Sequence, residues 1–492
     1  MKRKRNSAAS GTQTAKKEAV KYENEEVQEE GRSITELPQS IIDDILCRLT
    51  SLSVKRIINC KCVCKSWCNF ISSPEFAELH FERAQRSACP LIRAKDPKRI
   101  SRTLYLFEPE NEPEFDSNDN ESNCPSHMKL DTGFKIPLRD SKKVLYEKLN
   151  PKPGARKMRF ASLNAKHHDF NIANSCNGLL CSCETKHNDP VIVCNPLTGE
   201  YVKLPEAKKP SGSRTWIISG IGYTPQTKQY KVVRMFTEPM WYEDSREFEI
   251  HTLGTGVWRS AKGAPFSVPY MSSELAQATY LNGAIHWFGV NTYVRHEIYA
   301  FDIEKEQFLS LPSLPNGCFL IEEMSMGVLN GCLYICIASR YASFDLWVMK
   351  EYGVKESWTN VFGILPRIDW WPRGVYQPIK YTDNGGLLIF HSANYLIYYD
   401  PTKRRFKFFK LHGIQTELAA VSHIPSFLSL KESVMGRNLK VLNVKSRCAR
   451  LTLKEESDAL SLVYEKSEVA PLDPHYFTSY SYDSENSWSP SY

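Results

Sequence analysis

Near the amino end, Ile41, Ile42, Ile45, Leu46 and Leu49 recur three and four positions apart, which places them on one face of an α-helix. Pro38 is tolerated only at the start of that helix, and Ser40 with Asp43 has capping-box spacing if the helix begins slightly later. Ser53 is a candidate cap for a second helix carrying Val54, Ile57 and Ile58, and a third short helix is predicted around Trp67, ending near Ile71. Ser73-Pro74-Glu75 then opens a fourth by the rule of cap, first-turn proline and first-turn acid. Four short helices in about fifty residues make a core at the small end of what folds alone. The first helix carries more large aliphatics than such a core can absorb, so some of them are expected to meet a partner.

After Ala84 the period changes. Short β-like runs follow, such as Pro90-Leu-Ile-Arg93 and Thr103-Leu-Tyr-Leu-Phe107. From about residue 175 the chain repeats itself: Asn177-Gly-Leu-Leu-Cys, Asn282-Gly-Ala-Ile-His-Trp, Asn330-Gly-Cys-Leu-Tyr-Ile and Asn384-Gly-Gly-Leu-Leu-Ile. Asn-Gly is a strong hairpin signal because both residues tolerate positive φ, and each copy runs into a strand-like segment. A second turn and strand follow in Cys194-Asn-Pro-Leu-Thr-Gly-Glu-Tyr-Val-Lys-Leu-Pro205, Phe301-Asp-Ile-Glu-Lys-Glu-Gln-Phe-Leu-Ser-Leu-Pro312 and Tyr399-Asp-Pro-Thr-Lys-Arg-Arg-Phe406. The last three Asn-Gly copies stand 48 and 54 residues apart, and the gap of 105 before them is about two such units. That gap holds a further strand pair, Gly222–Val233 and Phe248–Trp258. A period near ~50 with several strands per unit is the kelch-type propeller signature. The units are irregular and leave the blade number open.

Composition narrows the class. Of 492 residues, 42% are hydrophobic and 24% charged, the usage of a globular protein, and the length suits roughly two to four domains. A net charge of +7, from 63 basic and 56 acidic residues, does not call for nucleic acid. No apolar run approaches the ~18 residues of a membrane span, and Met-Lys-Arg-Lys-Arg is not followed by a signal core, so no membrane is expected. Fifteen cysteines without framework spacing read as small apolar side chains of a reducing compartment. Residues 1–33 are charge-blocked and expected to be disordered: Lys2–Arg5 and Lys16–Lys17 form two basic clusters, with the spacing of a bipartite nuclear import signal, and glutamates follow. The expected location is nucleus, cytoplasm or both. An acidic loop near 108–126 is likewise expected to be unstructured, as is the Ser- and Tyr-rich end of a C-terminal extension covering 431–492.

The helical unit, residues 34–83, resembles the F-box of plant F-box proteins. The match is carried by Leu37-Pro38, Ile41-Ile42, Ile45-Leu46, Leu49, Lys61-Cys-Val-Cys-Lys-Ser-Trp67 and Ile71-Ser-Ser-Pro-Glu-Phe76. Ser53 stands where the family usually has proline, and Asn59-Cys60 where arginine and an aromatic are common. The β region, 84–430, is similar to the F-box-associated domain of the same family, on Asn177-Gly-Leu-Leu-Cys, Asn195-Pro-Leu-Thr-Gly, Gly222-Tyr, Asn282-Gly-Ala-Ile-His-Trp and Leu346-Trp-Val-Met-Lys-Glu-Tyr-Gly353 with Ser357-Trp358. The resemblance implies an α+β multidomain chain, a small N-terminal helical F-box followed by an all-β, irregular propeller-like repeat domain. It implies docking to a Skp-type adaptor, and through it indirectly to a cullin, with the β domain holding an unknown target protein for ubiquitination. Leu37, Pro38, Ile41, Ile42, Ile45 and Leu49 are the residues suited to an adaptor groove. Val54, Ile57, Val63 and Trp67 are expected to divide between that interface and the internal core.

Other chemistries find less in the chain. Cys60, Cys62, Cys64 and Cys68 crowd together, but on a helix the second points away from the others; Cys176, Cys181, Cys183, His187 and Cys194 fit a β core as well as a metal, and no metal or other cofactor is expected. There is no nucleophile elbow, no phosphate loop and no carboxylate pair singled out by spacing, so no catalytic residue is assigned. A glycan-binding or hydrolytic propeller outside ubiquitination is the alternative, and it requires convergent carboxylates or an aromatic platform in the central pocket. For a target, the candidates are Trp241 and Tyr242, and Trp370 and Trp371 with Arg373 and Tyr376, because loop aromatics and arginine are the usual interface anchors.

Overall fold

The computed structural model describes residues 38–48, 54–84, 88–94, 103–107, 127–131, 170–184, 187–207, 216–237, 247–263, 277–290, 296–314, 324–338, 344–364, 374–382, 385–392, 394–412, 418–433, 440–443 and 461–469. Residues 1–33, the acidic stretch 108–126 and the Ser- and Tyr-rich end lie outside them. The start of the first helix, through Ile45, belongs to one compact unit, and the described residues from Leu46 onward to another. Four helices come first: α1 (Gln39–Arg48), α2 (Val54–Cys60), α3 (Lys65–Ile71) and α4 (Pro74–Ala84). Pro38 precedes α1, and its carbonyl accepts the first bonds of the helix, from the N–H groups of Ile41 (2.9 Å) and Ile42 (3.2 Å). Ser73 caps α4 as its sequence signature requires, its Oγ accepting from the Phe76 N–H at 3.2 Å. No helix among the described residues is long and apolar enough to cross a membrane.

The strands form six sheets in a ring. The first holds β1 (Cys89–Ala94), β2 (Thr103–Phe107) and β3 (His127–Asp131), and the second β4 (Phe170–Cys176), β5 (Leu179–Glu184), β6 (Pro190–Asn195) and β7 (Glu200–Lys203). The third is built of β8 (Trp216–Thr224), β9 (Gln229–Thr237), β10 (Glu247–Thr252) and β11 (Arg259–Lys262). In the fourth are β12 (Thr279–Leu281), β13 (Ala284–Val290), β14 (His296–Asp302) and β15 (Gln307–Leu311). The fifth comprises β16 (Met324–Leu329), β17 (Cys332–Ala338), β18 (Phe344–Met349) and β19 (Trp358–Ile364). The sixth has β20 (Tyr376–Tyr381), β21 (Leu387–His391), β22 (Tyr395–Asp400) and β23 (Arg405–His412). Every pairing within them is antiparallel.

Three strands from the C-terminal side complete this set. β24 (Leu418–His423) is the innermost strand of the first sheet, pairing with β1 so that Val421 faces Leu91. Strands from both ends of the domain therefore share one blade, and the ring is locked by hydrogen bonds across more than three hundred residues. Beyond a short helix, α5 (Leu430–Ser433), β25 (Leu442–Asn443) adds to the outer edge of β7, and β26 (Ser461–Val469) to that of β23. The extension past 430 thus supplies the outermost strands of two blades, where the sequence showed only loss of the repeat.

Six apolar clusters fill the joints, one between each pair of neighbouring blades. Alternation along a strand serves two joints at once: Leu91 and Val421 face the second blade, while Ile92 and Ala420 face the sixth. Blades covered on both faces explain why Pro190–Asn195 and Leu387–His391 are buried at every position instead of alternately. The aliphatic-Pro endings have a partner across a joint. The Trp258 indole donates to the carbonyl of Pro205 at 2.9 Å, and the Trp358 indole to that of Pro312 at 3.0 Å. Asn177-Gly178, Asn282-Gly283 and Asn330-Gly331 each turn an innermost strand into its neighbour with both residues at positive φ, 48 and 80°, 51 and 75°, 47 and 77°. Asn384 lies outside the described residues.

Because each innermost strand runs into its turn in the same sense, all these turns share one rim. The strand ends that residues 238–246 and 365–373 connect, Thr237 with Glu247 and Ile364 with Gly374, lie by the same antiparallel order at the opposite rim.

Candidate functional site

Two places are built for contact: the helical module and the axis of the ring. Of the residues read as adaptor-facing on α1, Ile41 is 46% exposed, Ile45 is half-buried and Ile42 is buried, while Pro38 is exposed just before the helix. Leu37 and Leu49 lie outside the described residues. The second group divides. Val63, in the turn after α2, is 55% exposed; Val54, Ile57 and Trp67 are interior. Val54 belongs to the cluster that joins the first and second blades, and Ile58 packs on its edge, so α2 is seated on the propeller.

A segment between β24 and α5 holds this seat. Phe427 packs edge-on to Phe76 (6.1 Å between centroids) and to His80 (5.0 Å), and the Lys61 ammonium stands 5.3 Å over its ring. Among the crowded cysteines, Cys64 makes a polar contact, because its Sγ accepts from the Trp67 N–H at 3.5 Å and caps α3. Cys176, Cys181, Cys183 and Cys194 are buried in the blade joints, and burial pushes the Cys194 thiol up to about 12. They are core side chains, and no group of three or more His, Cys, Asp or Glu among the described residues is placed to hold a metal.

The target-facing residues need a correction. Tyr376 is not on a loop: it lies on β20, 2% exposed, edge-on to Phe344 (5.3 Å between centroids) in the joint between the fifth and sixth blades. Pro378 made the run look like a connection, but a break in register between Pro378 and Lys380 lets the strand continue past it. Trp241, Tyr242, Trp370, Trp371 and Arg373 lie outside the described residues.

At the axis the innermost strands leave a cavity of about 890 Å3. The Asn-Gly turn residues Asn177, Asn282 and Asn330 line it, as does Phe81 of α4. Bonds between blades that are not neighbours involve its wall: the Gln277 side chain donates to the Ala420 carbonyl at 3.4 Å, and the Ala278 N–H to that of Ala173 at 3.0 Å. This pocket carried no signal in the sequence, since every blade contributes to its wall from segments far apart in the chain.

Three histidines are held neutral around these sites. Burial brings His80 in α4 and His286 in β13 down to about 4, and His423, hydrogen-bonded to the Ser175 hydroxyl at 2.9 Å, to about 3. The unfolded chain, titrating near 6.5, binds more protons than the folded one as pH falls below that value. Stability is therefore complete above about pH 7 and declines between about 6.5 and 4, by on the order of 1–2 kcal/mol per histidine at pH 5. Urea unfolding at pH 7.5 and 5 is expected to show this drop, and replacing His80 by phenylalanine to reduce it.

Comparison with known proteins agrees with this architecture. Residues 34–79 match the model of the F-box domain, and residues 144–434 that of the F-box associated beta propeller domain. Among curated relatives, the F-box protein At3g07870 of Arabidopsis thaliana is 26% identical over 434 residues, covering 80% of this chain and 92% of the relative. The F-box/kelch-repeat protein At3g23880 of the same plant is 23% identical over 380 residues, covering 74% and 90%. A solved sialidase of Trypanosoma rangeli aligns with 8% identity over 54% of this chain and 55% of its own, at a TM-score of 0.30, and nothing about activity follows from it. Both matched modules are protein-interaction modules and not catalytic ones. With more than half of its length in one family model and the F-box ahead of it, the chain belongs to the plant-type F-box proteins that carry an F-box associated beta propeller domain.

Proposed function

We propose that the protein is the substrate-receptor subunit of a Skp–cullin–F-box ubiquitin ligase. F-box domains in general mediate binding to Skp- and cullin-type assemblies. The observation that carries the reading is an F-box module that keeps large apolar side chains, Ile41 and Val63, exposed. A second observation supports it: α2 and α4 are anchored on the first two blades through Val54, Ile58 and the Phe427 cluster. A target held by the propeller would then be brought close to an adaptor held by the F-box. The contribution is proximity and orientation, with ubiquitin transfer performed on another subunit.

Co-expression of the full chain with a plant Skp adaptor tests this. The expected result is a stable complex on size-exclusion chromatography that also captures a cullin only when the adaptor is present. Elution of the chain apart from the adaptor would end the proposal.

A further inference from the structure

The axial cavity has the construction of a ligand site. It is lined by the innermost strands of all six blades, and the Gln277–Ala420 and Ala278–Ala173 bonds tie blades together across it. Its volume, about 890 Å3, falls within the range of small-molecule pockets, ~300–1,000 Å3. Two acceptors on its wall, the Gln377 Oε1 and the Glu304 Oε2, are buried without a protein partner. Buried acceptors of that kind are rare in folded proteins and ask for a donor from something else.

The lining defines what that something is. The acids Asp302 and Glu304 are balanced by Lys305 and Lys380, so the wall presents no net charge. The rest of its polar surface is amide and hydroxyl, and Tyr223 and Tyr280 add ring faces, held together by the Tyr280 hydroxyl donating to the Tyr223 carbonyl at 2.8 Å. A charged ligand would surrender hydration without finding a counter-ion in excess. An apolar one would leave the amides and the two free acceptors unmet. Phe81 of α4 also lines it, and its volume suits a small molecule and not a folded domain.

We propose that the axial cavity binds a small uncharged polyhydroxylated molecule, one or two rings in size, whose hydroxyls donate to Gln377 and Glu304. This rests on the cavity and not on adaptor docking, and complex formation with the adaptor, followed in the same preparation, reports on that reading separately.

The test is calorimetric titration of the full-length chain with sucrose, trehalose and adenosine, set against sucrose 6-phosphate and adenosine monophosphate. At least one neutral probe is expected to bind with Kd below about 1 mM. Its phosphorylated counterpart should bind about tenfold more weakly, and Gln377→Met should weaken the neutral probe by about the same factor. Glu304→Ala, at a turn outside the apolar clusters, gives a second variant should the first fail to fold. No binding by any neutral probe, which leaves the cavity to water, overturns the proposal. So does a preference for the phosphorylated compounds, or affinity unchanged in the variant that folds.

Discussion

Replacing Asn195 by alanine is expected to destabilise the chain by about 3–4 kcal/mol, the loss of several buried hydrogen bonds at once. The side chain is fully buried and uses both ends. Its Oδ1 accepts from the N–H groups of Leu197 (2.9 Å) and Thr198 (3.2 Å), which shapes the turn between β6 and β7. Its Nδ2 donates to the carbonyls of Ser426 and Leu428, both at 2.9 Å, and so grips the segment that carries Phe427 into the helices. Glu200, at the other end of the turn, takes the Leu430 N–H at 2.6 Å and completes the grip. The fourth and sixth blades have the same turn with an aspartate. Asp302 accepts from the N–H groups of Glu304 and Lys305, and Asp400 from those of Thr402 and Lys403. Aspartate shapes the turn equally well but cannot donate, and among the described residues it is the second blade's turn that holds the 426–430 strap. Asn195→Asp should accordingly keep the turn and still lose most of the stability, whereas Asp400→Ala, at an exposed turn, should cost ~1 kcal/mol or less. Urea unfolding of the three variants checks this; Asn195→Asp unfolding at the wild-type midpoint would refute the grip.

The repeat was legible because its signals are local. Asn-Gly fixes a two-residue turn, Asn or Asp before the next one fixes an Asx turn, and Leu-Pro closes the unit, each within a few residues. What pairs with what across the ring is not local. β24 beside β1, and β26 beside β23, are pairings between distant segments with no motif of their own, so the closure of the first blade and the role of the extension were invisible. Tyr376 was misplaced for a different reason: a proline inside a strand argues for a connection unless a bulge is known to be there. On the helices, periodicity gave the apolar faces but not their destinations. Val54 and Val63 are both aliphatic and nine residues apart, yet one meets Leu91 and the propeller core and the other meets solvent, because the β domain covers α2 and leaves the following turn open.

That sorting yields the second large effect. Ile41→Glu is expected to leave the unfolding transition within ~0.5 kcal/mol of wild type, since the side chain is 46% exposed on α1 and gives up little interior packing. Its effect on adaptor capture should be far larger. Burying an isoleucine in an apolar groove is worth roughly 1.5–3 kcal/mol, and a carboxylate in its place must also lose its hydration without a partner. Together these exceed about 3 kcal/mol, or roughly a hundredfold in affinity. Competition between wild-type and Ile41→Glu chains for a limiting Skp adaptor measures the ratio directly, and their urea midpoints, measured in parallel, separate lost docking from lost folding. The opposite change, Val54→Glu, is uninformative for docking, because it would put a charge into the joint between the first two blades. Equal capture of the two chains would mean that the outward face of α1 is not where the adaptor binds, and the receptor reading would lose the feature on which it stands.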